Sequence, residues 1–182
     1  MSSILKVDQL QDSGGNAIIT SDGAGNLTAG TIPATAIGTG AVLQVKQQAF
    51  SSLQTTSTTY TSIGSLSITP NSASNKILIT TLNHVYLSSY ATDAWRAGHQ
   101  KILRDSTELL TDSNGYGEGA HFVGDSDRYM CYSSLHYLDS PNSTSAVTYD
   151  MQVRSKVSGV TVIFNNASYG SGGRMILMEI AG

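Results

Sequence analysis

The residues able to carry covalent chemistry are few. Cys131 is the single cysteine. Paired with His136 or His121 it would supply a thiol nucleophile and its base. Within a strand, however, side chains five positions apart point to opposite faces, which separates Cys131 from His136. Cys131 therefore reads as a structural thiol, and one cysteine makes neither an internal disulfide nor a thiolate zinc site. The four histidines, His84, His99, His121 and His136, share no H-x-H or H-x3-H spacing. Asp125-Ser126-Asp127 offers oxygen to a hard cation but lacks further ligands at fixed spacing. Asp112, Glu118, Asp125 and Asp127 form the one acidic cluster placed for glycoside hydrolysis, and they read as solvated loop acids. Neither a G-x-x-x-x-G-K-[ST] loop nor a G-x-S-x-G elbow occurs. The expectation is no catalytic residue, no metal and no cofactor.

The aromatic chemistry is richer. Nine tyrosines and one tryptophan stand against three phenylalanines. Exposed Tyr and Trp stack on sugars and anchor protein contacts. Tyr90, Trp95, Tyr116 and His121 lie in an irregular, Gly-rich stretch between Ser88 and Asp127, and they are the candidate receptor-binding residues. Tyr86, Tyr129, Tyr137 and Tyr149 fall on strand-like runs and read as packing residues.

Those loops need a scaffold, and the composition narrows its class. The chain has 182 residues, a net charge of −3 and only 13% charged residues, about half the usual share. Its 26 serines and 19 threonines supply the polarity instead. Such a chain is not a highly charged disordered tail. With 10 basic and 13 acidic residues it lacks the basic footprint of a nucleic-acid binder. No run of 18 apolar residues suggests membrane insertion. The opening Met1-Ser2-Ser3-Ile4 lacks the basic and apolar regions of a secretory signal, which suggests synthesis in a reducing cytoplasm.

From Ala41 onward the pattern is that of strands. Val147, Tyr149, Met151 and Val153 alternate with polar neighbours, the clearest period-2 signal in the chain. Lys101–Arg104 and Glu108–Leu110 read as a hairpin around Asp105-Ser106-Thr107. The run Met175–Ile180 is apolar on both faces except Glu179, the mark of a central strand or one buried against another subunit. Eight or nine strands without an amphipathic helix predict an all-β fold, a jelly-roll-like β-sandwich over residues 41–182. Residues 1–40 differ: turn signals at Ser13–Asn16, Ser21–Asn26 and Gly38–Gly40 divide scattered apolar residues. Such a segment buries too little surface to offset its own ordering entropy. It reads as an extended anchor and linker held by copies of itself.

Two stretches carry a resemblance. Ser3–Asn16, continuing through Ser21–Thr28, resembles the N-terminal leader of fibre-like structural proteins of tailed bacteriophages, those of marine cyanophages and pelagiphages in particular. Gly173–Ala181 resembles the terminal strand of the sandwich heads in that group. The resemblance implies a homotrimer with an intertwined N-terminal anchor that attaches to another virion protein. On that reading Ile4, Leu5, Val7, Leu10, Ile18, Ile19 and Leu27 make the anchoring and trimer contacts. It implies a non-enzymatic tail fibre or tip on the virion whose head binds a host-surface glycan or protein. The closest rival is a capsid-bound fibre or decoration protein, and a tailspike-type depolymerase comes last.

Overall fold

The structure is a computed structural model that describes residues 9–24, 26–29, 38–87, 98–109, 129–166, 168 and 172–182. The chain divides into two compact units, Met1–Gly38 and Thr39–Gly182.

The first unit holds β1 (Gln9–Gln11), β2 (Ala17–Ser21) and β3 (Leu27–Ala29), paired in that order as an antiparallel meander. The described part therefore folds back on itself rather than running extended as expected. Its two turns are copies, ten residues apart: Asp12-Ser13-Gly14-Gly15-Asn16 and Asp22-Gly23-Ala24-Gly25-Asn26. In each, the Asp Oδ1 accepts backbone N–H bonds from two and four residues ahead, and the Asn side chain donates to Oδ2. These donors, the Asn side chain first, hold both carboxyls below the ordinary aspartate value. Gly15 and Gly23 take φ of 81° and 77°, open to glycine without strain.

The second unit is all β. Its strands are β4 (Val42–Ala49), β5 (Leu53–Thr55), β6 (Thr61–Ile68), β7 (Lys76–Leu87) and β8 (Gly98–Arg104). They are followed by β9 (Thr107–Glu108), β10 (Tyr129–Asp139), β11 (Val147–Ser155), β12 (Val162–Phe164) and β13 (Arg174–Ile180). The pairing is that of one long antiparallel ribbon whose apex is the Asp105-Ser106 turn. From the apex outward β8 pairs β9, β7 pairs β10, β6 pairs β11, and β5 with β4 pair β12 with β13. Asp105 adopts φ of 52° at the apex, and its carboxylate accepts the Thr148 N–H at 3.0 Å.

Wrapping this ribbon gives two sheets. In the first, β4/β5, β12/β13, β7 and β10 lie side by side in four lanes. In the second the order is β6-β11-β8-β9. Strands that follow one another in sequence fall in opposite sheets, apart from the apex hairpin and the two split lanes. This is the jelly-roll arrangement, and the expected all-β sandwich is what the chain forms. The core between the sheets includes Ile77, Ile79, Ile102, Met151, Phe164 and Leu177. β11 alternates without a fault, with Val147, Tyr149, Met151 and Val153 turned inward. β13 lies between β4 and β7, with Met175 and Leu177 turned into the core and Ile176, Met178 and Ile180 on the outer face.

Candidate functional site

The expected receptor residues Tyr90, Trp95, Tyr116 and His121 lie outside the described residues, as do Asp112, Glu118, Asp125 and Asp127. So do Ile4, Leu5 and Val7 of the expected anchor. Leu10, Ile18 and Ile19 are 50%, 48% and 41% exposed, and Leu10 sits opposite Ile19 across the β1–β2 pair. Leu27 opens β3 opposite Ser21.

The groups weighed for chemistry are dispersed. Cys131 turns toward the core, and burial pushes its thiol up to about 11. His136 is exposed on the opposite face of the same strand, with Nδ1 3.3 Å from Thr80 Oγ1. His84 is buried, edge-on to the Tyr132 ring at 5.4 Å. His99 is fully buried, with Nδ1 3.2 Å from an Arg154 nitrogen. Among the described residues no three His, Cys, Asp or Glu side chains converge on a common point.

Three buried polar clusters were not legible in the sequence. Asp139 at the end of β10 holds Arg104 from β8 through both oxygens, at 2.8 and 2.9 Å, and accepts the Tyr149 hydroxyl at 2.7 Å. This ties the two sheets together. Burial, then the Asp139 hydrogen bond and charge, push the Tyr149 phenol far up, so it remains a donor. Glu179, fully buried, accepts from Gln44, from the Asn71 backbone and side chain, and from Asn75, at 2.6 to 3.0 Å. Further along β7, Asn165 donates to Asn83, Asn83 to Gln100 and Gln100 to Ser133, all inside the sandwich. Gly98 allows the close approach of the sheets there: a Cβ would stand 2.7 Å from Phe164.

The two outer faces of the sandwich differ sharply. On the β6-β11-β8 sheet the outward positions include Ser65, Ser67, Thr148, Asp150, Gln152 and Lys101. Tyr60 lies beside this face with Lys101 Nζ 4.4 Å and Arg154 Cζ 4.6 Å from its ring centre. Each cation has another partner, Glu108 for Lys101 and the Thr58 carbonyl for Arg154.

The outer face of the other sheet forms rows across its four lanes. Leu138, Leu78, Met178 and Val45 make one row, from β10 to β4. Next to it, at the end of the sheet, are Lys76, Ile180 and Val42. On the other side come His136, Thr80, Ile176 and Gln47, then Ser134, Leu82, Arg174 and Ala49. These last two rows frame an open depression of about 380 Å³. Among the described residues this face carries no carboxylate. Among the described residues of this unit six large hydrophobic residues are left exposed, and five of them, Val42, Val45, Met130, Tyr132 and Leu138, lie here. Scattered exposed hydrophobics are ordinary, but Val42, Val45 and Leu138 adjoin Leu78, Met178 and Ile180 at one end of the face, and such a group is the mark of a surface meant to be covered.

No protein-family model and no curated protein matches the chain. Solved structures that resemble it include those of infectious bursal disease virus Gx strain, the T13 IBDV viral particle and infectious bursal disease virus Gt strain. The first is 12% identical with a TM-score of 0.46, over 76% of this chain and 33% of that one. The second is 9% identical at 0.41 and the third 11% at 0.38, again over 76% of this chain and over 35% and 38% of theirs. This chain thus spans about a third of the length of the proteins it resembles. The jelly-roll assignment rests on the strand pairing itself.

Proposed function

We propose that the chain is a non-enzymatic structural protein of a bacteriophage virion, a homotrimeric tail fibre or tip. Its N-terminal unit attaches to another virion protein, and its jelly-roll head binds a glycan or protein of the host surface. The observation that carries this reading is the N-terminal meander. None of its described side chains is buried, and Leu10, Ile18 and Ile19 stand in solvent. A three-stranded sheet needs a covered apolar face to be stable, and association with another chain would cover these exposed residues. The leader's resemblance to fibre proteins supplies the setting. The sandwich suits a head because it holds loops on a rigid frame.

Gold-labelled antibody against the head should decorate the tails of intact particles. The full chain, added in excess, should compete with particles for adsorption to host cells. Decoration of the shell without competition would replace the tail-fibre reading by that of a capsid-bound fibre or decoration protein.

A further inference from the structure

Among the described residues of this unit nothing covers the outer face made by β4, β13, β7 and β10, and its chemistry selects its occupant. We infer that this face is where neighbouring copies of the head meet. In that contact the β4 side of one copy packs against the β10 side of the next, around a closed three-fold ring. This rests on the homotrimer reading above and adds to it the surface and the register of the contact.

Three observations support it. The first is area. Four lanes about 4.8 Å apart and a central strand of twelve residues make a face of roughly 700 Å². Stable interfaces take about 800 Å² from each partner; a ring divides this face between two joints, so each joint draws on the flanks of the head as well. The second is exposure. The most exposed apolar groups lie in the two outer lanes: Val42 at 53% and Val45 at 57% on β4, Leu138 at 50% and Tyr132 at 56% on β10. Apolar residues of the inner lanes, such as Leu78 and Met178, are already half-buried. The outer lanes therefore have the most to gain from being covered. β10 also presents an edge that pairs with no further strand among the described residues, a feature that isolated proteins blunt or cover. The third is charge. Lys76 and Arg174 stand on the inner lanes, and the described face has no carboxylate to meet them. A two-fold stack of the face on itself would set these cations against their own copies. A head-to-tail contact between outer lanes keeps the cations out of the joint, and heterologous contacts of this kind close into rings.

The test uses cysteine pairing in the full chain, with Cys131 replaced by Ala. Val45 and Leu138 occupy the first and fourth lanes of one row. Three lane spacings hold them roughly 14 Å apart within a copy, too far for an internal disulfide. Under mild oxidation Val45→Cys with Leu138→Cys should give covalent trimers on a non-reducing gel, and either change alone should leave monomers. Circular dichroism checks that both exposed sites tolerate the change. Covalent dimers from the double variant would establish a two-fold contact and overturn the ring. A trimeric mass by light scattering without cross-linking would overturn this face as the contact while leaving the trimer intact. A monomeric mass for the unmodified chain would overturn both.

Discussion

Glu179→Gln is the sharpest test of how this sandwich is held together. Glu179 is the one carboxylate in the terminal strand, which is apolar from Met175 to Met178, and it is fully buried. Its Oε2 accepts from Gln44 at 2.6 Å and from the Asn71 side chain at 3.0 Å. Its Oε1 accepts from the Asn71 backbone N–H and the Asn75 side chain, both at 2.6 Å. Four donors meet two oxygens, so either placement of a glutamine NH2 sets a donor against two donors. The partners are not free to turn. The backbone N–H is fixed, the Gln44 amide also donates to the Thr69 carbonyl, and Asn75 Oδ1 accepts the Gly182 N–H. Two hydrogen bonds to a charged acceptor are lost, each contributing about 1.5–3 kcal/mol. Relief of the buried charge offsets part of this, leaving an expected destabilisation of about 3–5 kcal/mol. Total stabilities are about 5–15 kcal/mol. With a urea slope near 2 kcal/mol per molar, the midpoint should fall by about 2 M. Both proteins are compared at one concentration, because the assembly proposed above would make the midpoint concentration-dependent. Glu108→Gln, which breaks only the exposed pair with Lys101, should shift it by no more than about 1 kcal/mol. A Glu179→Gln shift in midpoint as small as that of Glu108→Gln would refute the claim that four converging amides need a carboxylate.

Tyr149→Phe removes one donor from Asp139 and leaves Arg104 in place. It should cost about 1–2 kcal/mol in urea unfolding with an unchanged slope; no loss would mean that Arg104 alone satisfies the carboxylate. Cys131, with its thiol pushed up to about 11, should react with a disulfide reagent at pH 8 about 100-fold more slowly in the folded protein than in urea, where the thiol returns to about 8.5. Equal rates would show that the core side of β10 is open.

What the sequence revealed is what local pattern encodes. The alternation through Val147–Val153 gave β11 and its inward face. The unbroken apolar run around Ile176 and Met178 marked β13 as interior. The Asp105-Ser106 turn gave the ribbon's apex, one residue shorter than expected because Thr107 already pairs with Arg104. The missed features depend on partners distant in sequence. Asp139 and Arg104 are 35 positions apart, and Glu179 lies 104 positions from Asn75; no periodicity connects such pairs. Asn83 and Gln100 did carry a signal, as amides at inward positions of β-rich runs, but their meaning needed the other sheet. The repeat of Asp-x-x-Gly-Asn at ten residues was visible without a structure and would have indicated a meander in place of an extended leader.

The low charge noted in the composition has a physical counterpart inside the sandwich. An interior polar group needs a partner, and chains richer in charge satisfy it with ions. Here one buried carboxylate is held by amides alone, and Asn83, Gln100, Ser133 and Asn165 satisfy one another in a neutral chain. Among the described residues the ion pairs are Lys101–Glu108, at the surface, and Arg104–Asp139, where the carboxylate side is buried. Salt screens exposed charges within about 10 Å at 0.1 M and much less within buried sites. A sandwich built this way keeps its internal bonds over a wide range of ionic strength. Its outer apolar face responds in the opposite sense to an ion-pair interface, since excluded salts strengthen apolar burial. Assembly through Val45 and Leu138 should therefore be favoured, not weakened, as sulfate is added.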